Sequence, residues 1–120
     1  MSTARPHALI VEDHSTSALA LKSALSLMGY ATFGFASTGP QALLAARARK
    51  PDLVVTSLAL REHLDEGLLS EFDHEIEGVP IIYTADPGAC ADGELVLQKP
   101  VGRAALSRAL EMLRGEDAAA

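Results

Sequence analysis

"PDLVVTSLAL", residues 51–60, opens on a turn residue, runs through β-branched and apolar side chains, and exits abruptly. Because "DLVVTS" (52–57) is apolar on both faces instead of alternating, it predicts a strand sandwiched between two helix layers, as in a parallel sheet. Its last residue, Ser57, would stand at the carboxyl end of that strand. In open parallel sheets ligand and catalytic sites form beyond those ends, where strand order reverses. What flanks and faces Ser57 therefore decides both the fold and the chemistry.

Working outward, the same strand-then-helix alternation recurs along the chain. "HALIVED" (7–13) is a short apolar run that ends in two acids, a strand delivering Glu12 and Asp13 at its tip. "HSTSALALKSALSLMG" (14–29) changes period, placing Ala18, Leu21, Leu25 and Met28 on one helical stripe, with Ser15 as candidate N-cap and Gly29 as the stop. "YATFGF" (30–35) predicts a second strand, and "STGPQALLAARARK" (37–50) a helix announced by Thr38 and Gln41 as a capping box, with Pro40 in its first turn. Arg47, Arg49 and Lys50 suit the negative end of that helix, and Pro51 stops it.

Downstream, a third helix is expected within His63 to Glu77, weakened by Gly67, followed by "VPIIYTA" (79–85) and "ELVLQKP" (94–100) as the fourth and fifth strands. "GRAALSRALEMLRG" (102–115) closes the domain with Leu106, Leu110 and Leu113 on one stripe. Only 14 residues separate Thr84 from Lys99, and turns at "DPG" and "DG" consume several of them. An ordinary helix of about 11 residues does not fit there, so a fourth helix is expected to be shortened or missing. Residues 1–115 read as a single domain and 116–120 as a frayed tail, with no internal repeat or linker.

Composition bounds the function. A chain of 120 residues with 48% hydrophobic but only 4% aromatic residues supports one core of Leu, Val, Ile and Ala. The net charge of −6 argues against gripping a phosphate backbone or an anionic membrane surface, which leaves proteins or cations as partners. One cysteine, Cys90, allows no internal disulfide; with no signal peptide pattern and no apolar run of membrane-spanning length, a reducing cytoplasm is the expected compartment. His63 and His74 lack a recognisable ligand spacing, and "REHLDEG" (61–67) reads as a solvated acidic loop.

The residues at the strand ends are Glu12 and Asp13, Ser57, Thr84, and Lys99 with Pro100. An acidic pair, a hydroxyl and a lysine in this order, carried by "VED", "PDLVV", "VPIIYTA" and "QKP", resemble the receiver domain of two-component response regulators over nearly the whole chain. The resemblance implies an α/β, flavodoxin-like (βα)5 three-layer sandwich whose parallel five-stranded sheet runs in the order 2-1-3-4-5. It also implies a phosphorylation pocket in which Asp13 binds Mg²⁺ directly, Glu12 lies in its outer shell, Thr84 is the switch hydroxyl and Lys99 the counter-ion.

This chain departs from the family where the phosphoryl group would be carried, because Ser57 occupies the place of the phosphoacceptor aspartate. A serine cannot form the mixed anhydride and offers no negative charge to a metal, so no cofactor is expected and Mg²⁺ binding should be weak or absent. The switch aromatic is replaced by Val96, and Arg61 stands where the family often has proline. The pocket is expected to be closed and metal-free, with Lys99 paired mainly to Asp13.

The expectation is a stand-alone pseudo-receiver, not an enzyme, that works by phosphorylation-independent binding to a sensor kinase, a phosphotransferase or another signalling regulator. Nucleic acid and membrane are not expected as partners, and a homodimer stays open. Two alternatives remain: phosphorylation at Asp13 or Thr56, and, from another class, a serine hydrolase using Ser57, which lacks the G-x-S-x-G elbow and a histidine at a strand end.

Overall fold

The computed structural model describes residues 5–32, 34–88 and 95–119. Its elements are β1 (Ala8–Val11), α1 (Ser15–Leu27), α2 (Gly39–Ala48), β2 (Leu53–Ser57), α3 (Leu58–Glu62), α4 (Glu66–Glu75), β3 (Ile81–Ala85), β4 (Val96–Gln98) and α5 (Arg103–Ala119). The apolar run that opened the reading is β2, buried along its whole length. The strands hydrogen-bond in the order β1-β2-β3-β4, and every neighbouring pair is parallel.

Side chains of a strand alternate between the two faces of its sheet, and here each face has its own core. Ala8, Ile10, Leu53, Val55 and Ile82 pack with Leu21 and Leu25 of α1 and Leu106 and Leu110 of α5. Leu9, Val11 and Val54 pack the other way, against Ala42 and Leu43 of α2 and Phe72 of α4. The result is a three-layer α/β sandwich of the flavodoxin-like kind.

Among the described residues the sheet has four strands, and the segment read from the sequence as a further strand joins its edge through isolated bridges. Its described residues and the next, Ala36, meet the chain of β1 at isolated parallel bridges, His7 with Ala31 and Val11 with Ala36. Ala8 N donates to Ala31 O and Glu12 N to Ala36 O, whereas the His7 carbonyl accepts from Asp52 N on the β2 side. Backbone groups of successive residues point to opposite edges of a strand, so the segment lies on the free edge of β1, where the order 2-1-3-4-5 puts it. Gly34, at φ 108°, takes the left-handed backbone that interrupts an extended ladder.

The helix ends depart from the sequence reading in instructive ways. Gly29 does end α1, at φ 96°, but the N-cap is His14 and not Ser15, and it makes no side-chain cap bond. Thr38 caps α2 by accepting from Gln41 N at 3.2 Å, while the Gln41 side chain accepts from Ser37 N instead of returning to Thr38. The third helix expected within 63–77 is α4, which Asp65 starts by accepting from Leu68 N at 2.7 Å, and a further short helix not read from the sequence, α3, follows β2 without a break. Most of the expected acidic loop is therefore helical. Between Ala85 and Val96 no helix lies among the described residues; residues 89–94, with the expected loss of a fourth helix and Cys90, lie outside them.

Candidate functional site

Parallel strands in register bring their carboxyl ends to one edge of the sheet. Val11 pairs with Thr56, Ser57 with Thr84, and Thr84 with Leu97. Lys99 N donates to Ala85 O at 2.8 Å, extending that ladder and setting the lysine beside the other strand tips. Glu12, Ser57, Thr84 and Lys99, far apart in sequence, thus share one end of the sheet. Glu12, Ser57 and Thr84 are buried there.

The lysine's partner differs from the expected one. Lys99 Nζ donates to Glu12 Oε1 at 2.6 Å and lies 3.4 Å from Asp86 Oδ1; Asp13, the expected partner, is half exposed. Side chains alternate in direction along an extended segment, so Glu12 turns into the site and its neighbour Asp13 turns to solvent. Burial alone pulls the Lys99 ammonium toward deprotonation, but the bonds and charges of Glu12 and Asp86 outweigh it, and the pKa is raised. Asp86, read from the sequence only as part of a turn, was missed; it stands one residue beyond β3, and extending the census of strand tips by one residue would have found it.

Ser57 has a structural occupation. Its hydroxyl accepts from Leu60 N at 3.4 Å as the N-cap of α3, and the residue is 2% exposed. Thr56 Oγ1 is buried and donates to the carbonyl of Ser57. Thr84 Oγ1 and Glu12 Oε2 are buried with no hydrogen-bond partner among the described residues. Val96 pairs with Tyr83 across the β3–β4 ladder, and the Arg61 guanidinium, held by Asp73 at 2.8 Å, lies 5.9 Å from that tyrosine ring.

His14, read only as a helix opener, sits on the acidic pair. Its Nδ1 is 3.2 Å from Glu12 Oε1 and 3.3 Å from Asp13 Oδ1. Glu12, Asp13 and His14 are the one group among the described residues whose donor atoms could hold a metal ion together, so His63 and His74 belong to no such group.

The Mg²⁺ that the fold implies does not fit these residues. Mg²⁺ demands an octahedron of oxygens and surrenders its water reluctantly. Here one carboxylate carries Lys99, the serine hydroxyl is committed to a backbone N–H, and an imidazole nitrogen lies against both acids.

No protein-family model and no curated protein matches the sequence. Solved structures do match. The signal receiver domain of a modulated diguanylate cyclase from Desulfovibrio desulfuricans G20 is 27% identical, with a TM-score of 0.70 over 91% of this chain and 93% of that one. The N-terminal domain of a response regulator/sensory box/GGDEF protein from Carboxydothermus hydrogenoformans is 24% identical, with a TM-score of 0.73 over 93% and 97%. The response regulator PhyR from Brucella abortus, 20% identical at a TM-score of 0.71, is covered over 52% of its length, so this chain spans about half of it. No helix of the described residues is long and apolar enough to cross a membrane. With helices on both faces of a parallel sheet, the strand tips gathered at one edge and these neighbours, the chain is in fold a response regulator receiver domain.

Proposed function

We propose that this receiver signals by binding another protein and carries no aspartyl phosphate. One observation carries the reading: at the tip of β2, where the family places its phosphoacceptor, Ser57 is buried and spends its hydroxyl on the first turn of α3. A serine there cannot form an acyl phosphate. Lys99, the cation that would pair with the phosphoryl group, is already held by Glu12 and Asp86. With Val96 in place of an aromatic ring, the site also lacks a side chain whose swing could report phosphorylation. Mg²⁺ binding is accordingly weak or absent.

The chain is then a binding module and not an enzyme, working in the cytoplasm on a sensor kinase, a phosphotransferase or another signalling regulator. One neighbour in fold, PhyR from Bartonella quintana, is described as an anti-anti-sigma factor, a role exercised on proteins. The net charge of −6 favours protein partners over nucleic acid or membrane, and self-association is a further form the interaction could take. Affinity capture with and without acetyl phosphate and Mg²⁺ tests the reading. The same partners at the same affinity are expected in both, and a partner gained or lost with the phosphoryl donor would overturn it.

A second reading keeps phosphorylation but moves it. Asp13 favours it, because its carboxylate is half exposed and open to a donor, whereas Thr56 is buried.

A further inference from the structure

Away from the strand tips, a cavity of about 450 Å³ lies between α2 and the segment on the free edge of β1. Small-molecule sites occupy about 300–1,000 Å³, so this one is of ligand size. Its floor is the start of β1, where His7 and Leu9, two residues apart on an extended chain, share the face turned to α2. One wall is the stripe Gln41, Ala45 and Ala48, spaced as one side of that helix, and the other is residues 34–36 of the edge segment.

The cavity stays open because both walls are built from small groups. Ala45 and Ala48 present only methyls, and nothing lies within 4 Å of the place a Cβ on Gly34 would take. The Phe35 side chain packs against the core on the α1 and α5 face instead. Apolar surface left facing water forgoes the stabilisation of burial, which an apolar ligand would restore.

Charge selects the ligand. The chain carries a net charge of −6, yet the residues lining this cavity include no carboxylate, and their one full charge is the guanidinium of Arg49. Of the basic residues that close α2, Arg47 is bonded to Glu75 of α4 at 3.1 Å, whereas Arg49 lines the cavity. The charge of Arg49 acts on the buried His7, which puts the guanidinium and the imidazole at the same end of the cavity. Asp52, the carboxylate that also acts on His7, accepts the His7 backbone N–H at 2.7 Å and does not line the cavity. A guanidinium presents its donors in a planar fork that matches the two oxygens of a carboxylate.

We propose that this cavity binds a small apolar carboxylate, with its hydrocarbon against Leu9, Ala45 and Ala48 and its head group at Arg49. None of Glu12, Ser57, Thr84 and Lys99 lines it, so the site is independent of what becomes of the phosphorylation pocket.

The experiment is an amide NMR titration of the full chain with decanoate below its micellar concentration, with decylamine and acetate in parallel. Saturable shifts at one decanoate per chain are expected, confined to the amides of α2, the start of β1 and the edge segment. Decylamine has the same chain with the opposite charge, and acetate has the charge without the chain; each should bind at least about tenfold more weakly. Ala48→Leu, at an exposed helical position, should fill the cavity and abolish the shifts while leaving the far-ultraviolet dichroism unchanged. Arg49→Gln should weaken decanoate by about tenfold, the loss expected when a charged hydrogen-bond partner is removed, and should not weaken decylamine. No saturable shift, decylamine bound as tightly as decanoate, or unchanged decanoate affinity in either variant would overturn the proposal. Wild-type dimers in sedimentation that Ala48→Leu dissociates would overturn it too, by making the cavity a contact between copies. None of these outcomes touches the phosphorylation-independent reading, which is tested by phosphoryl transfer.

Discussion

Lys99 and Glu12, 87 positions apart in sequence, form a partly buried ion pair, with Nζ 2.6 Å from Oε1 and the carboxylate inaccessible to solvent. Removing one partner of a buried pair leaves the other charge desolvated and alone, at a cost of about 3–5 kcal/mol. Lys99→Met should therefore destabilise the domain by about 3 kcal/mol in urea denaturation. Lys99→Met combined with Glu12→Gln should recover much of that loss. Asp13→Asn, at an exposed position, should change stability by no more than about 0.5 kcal/mol. If Asp13→Asn were the damaging change, the lysine's partner would have been misidentified.

Ser57 should behave as a helix cap. Ser57→Ala removes the acceptor of Leu60 N, and the expected loss is about 1 kcal/mol of unfolding free energy. Ser57→Asp keeps a capping oxygen, since Asp caps as well as Ser, but adds a carboxylate at the strand tip. Like charges gathered in one site create demand for a cation, so Mg²⁺ affinity, read by calorimetry, should rise in this variant.

α2 and α4 touch through a glycine. A Cβ on Gly39 would meet the Cδ2 atoms of Leu68 in α4 and of Leu64 just before it, the movable ends of two side chains, so Gly39→Val should force these leucines to repack. Overpacking of this kind costs about 1–3 kcal/mol, and thermal unfolding followed by circular dichroism would measure it.

His7, buried at the opposite end of β1, supplies a pH signature. Burial and the nearby Arg49 hold its pKa below the ordinary imidazole value, although the bond to Ala31 and the charge of Asp52 oppose them. The unfolded chain then binds the proton more readily than the folded one, so stability falls as pH drops below about 6.5. His7→Asn should reduce the slope of stability between pH 7.5 and pH 5.5, as measured by urea midpoints at each pH. An unchanged slope would mean that His7 titrates alike in both states.

The fold was legible in the sequence because its determinants are local and periodic. The unbroken apolar run at 53–57, the 3.6-residue stripe Ala18, Leu21 and Leu25, and the turn residues between elements sufficed for the layered α/β arrangement. The segment "YATFGF" has strand composition and takes the expected edge of β1, but its described residues pair there as isolated bridges, and Gly34 takes a positive φ that composition does not reveal. In the site, Glu12, Ser57, Thr84 and Lys99 could be named by counting strand tips, since parallel register forces those tips together. The partner of Lys99 could not be named, because it depends on the direction in which two adjacent acids point. Nor could the bridge from His14 to both acids, which arises only once the turn into α1 is built.

The central claim is that the site takes no phosphoryl group because its acceptor is a serine. Intact-mass measurement after incubation with acetyl phosphate and millimolar Mg²⁺ tests it most directly, with Ser57→Asp as the positive control. The account predicts no added phosphoryl group on the wild-type chain and one on Ser57→Asp. A Mg²⁺-dependent gain of one phosphoryl group on the wild-type chain, located at Asp13 or Thr56, would contradict it.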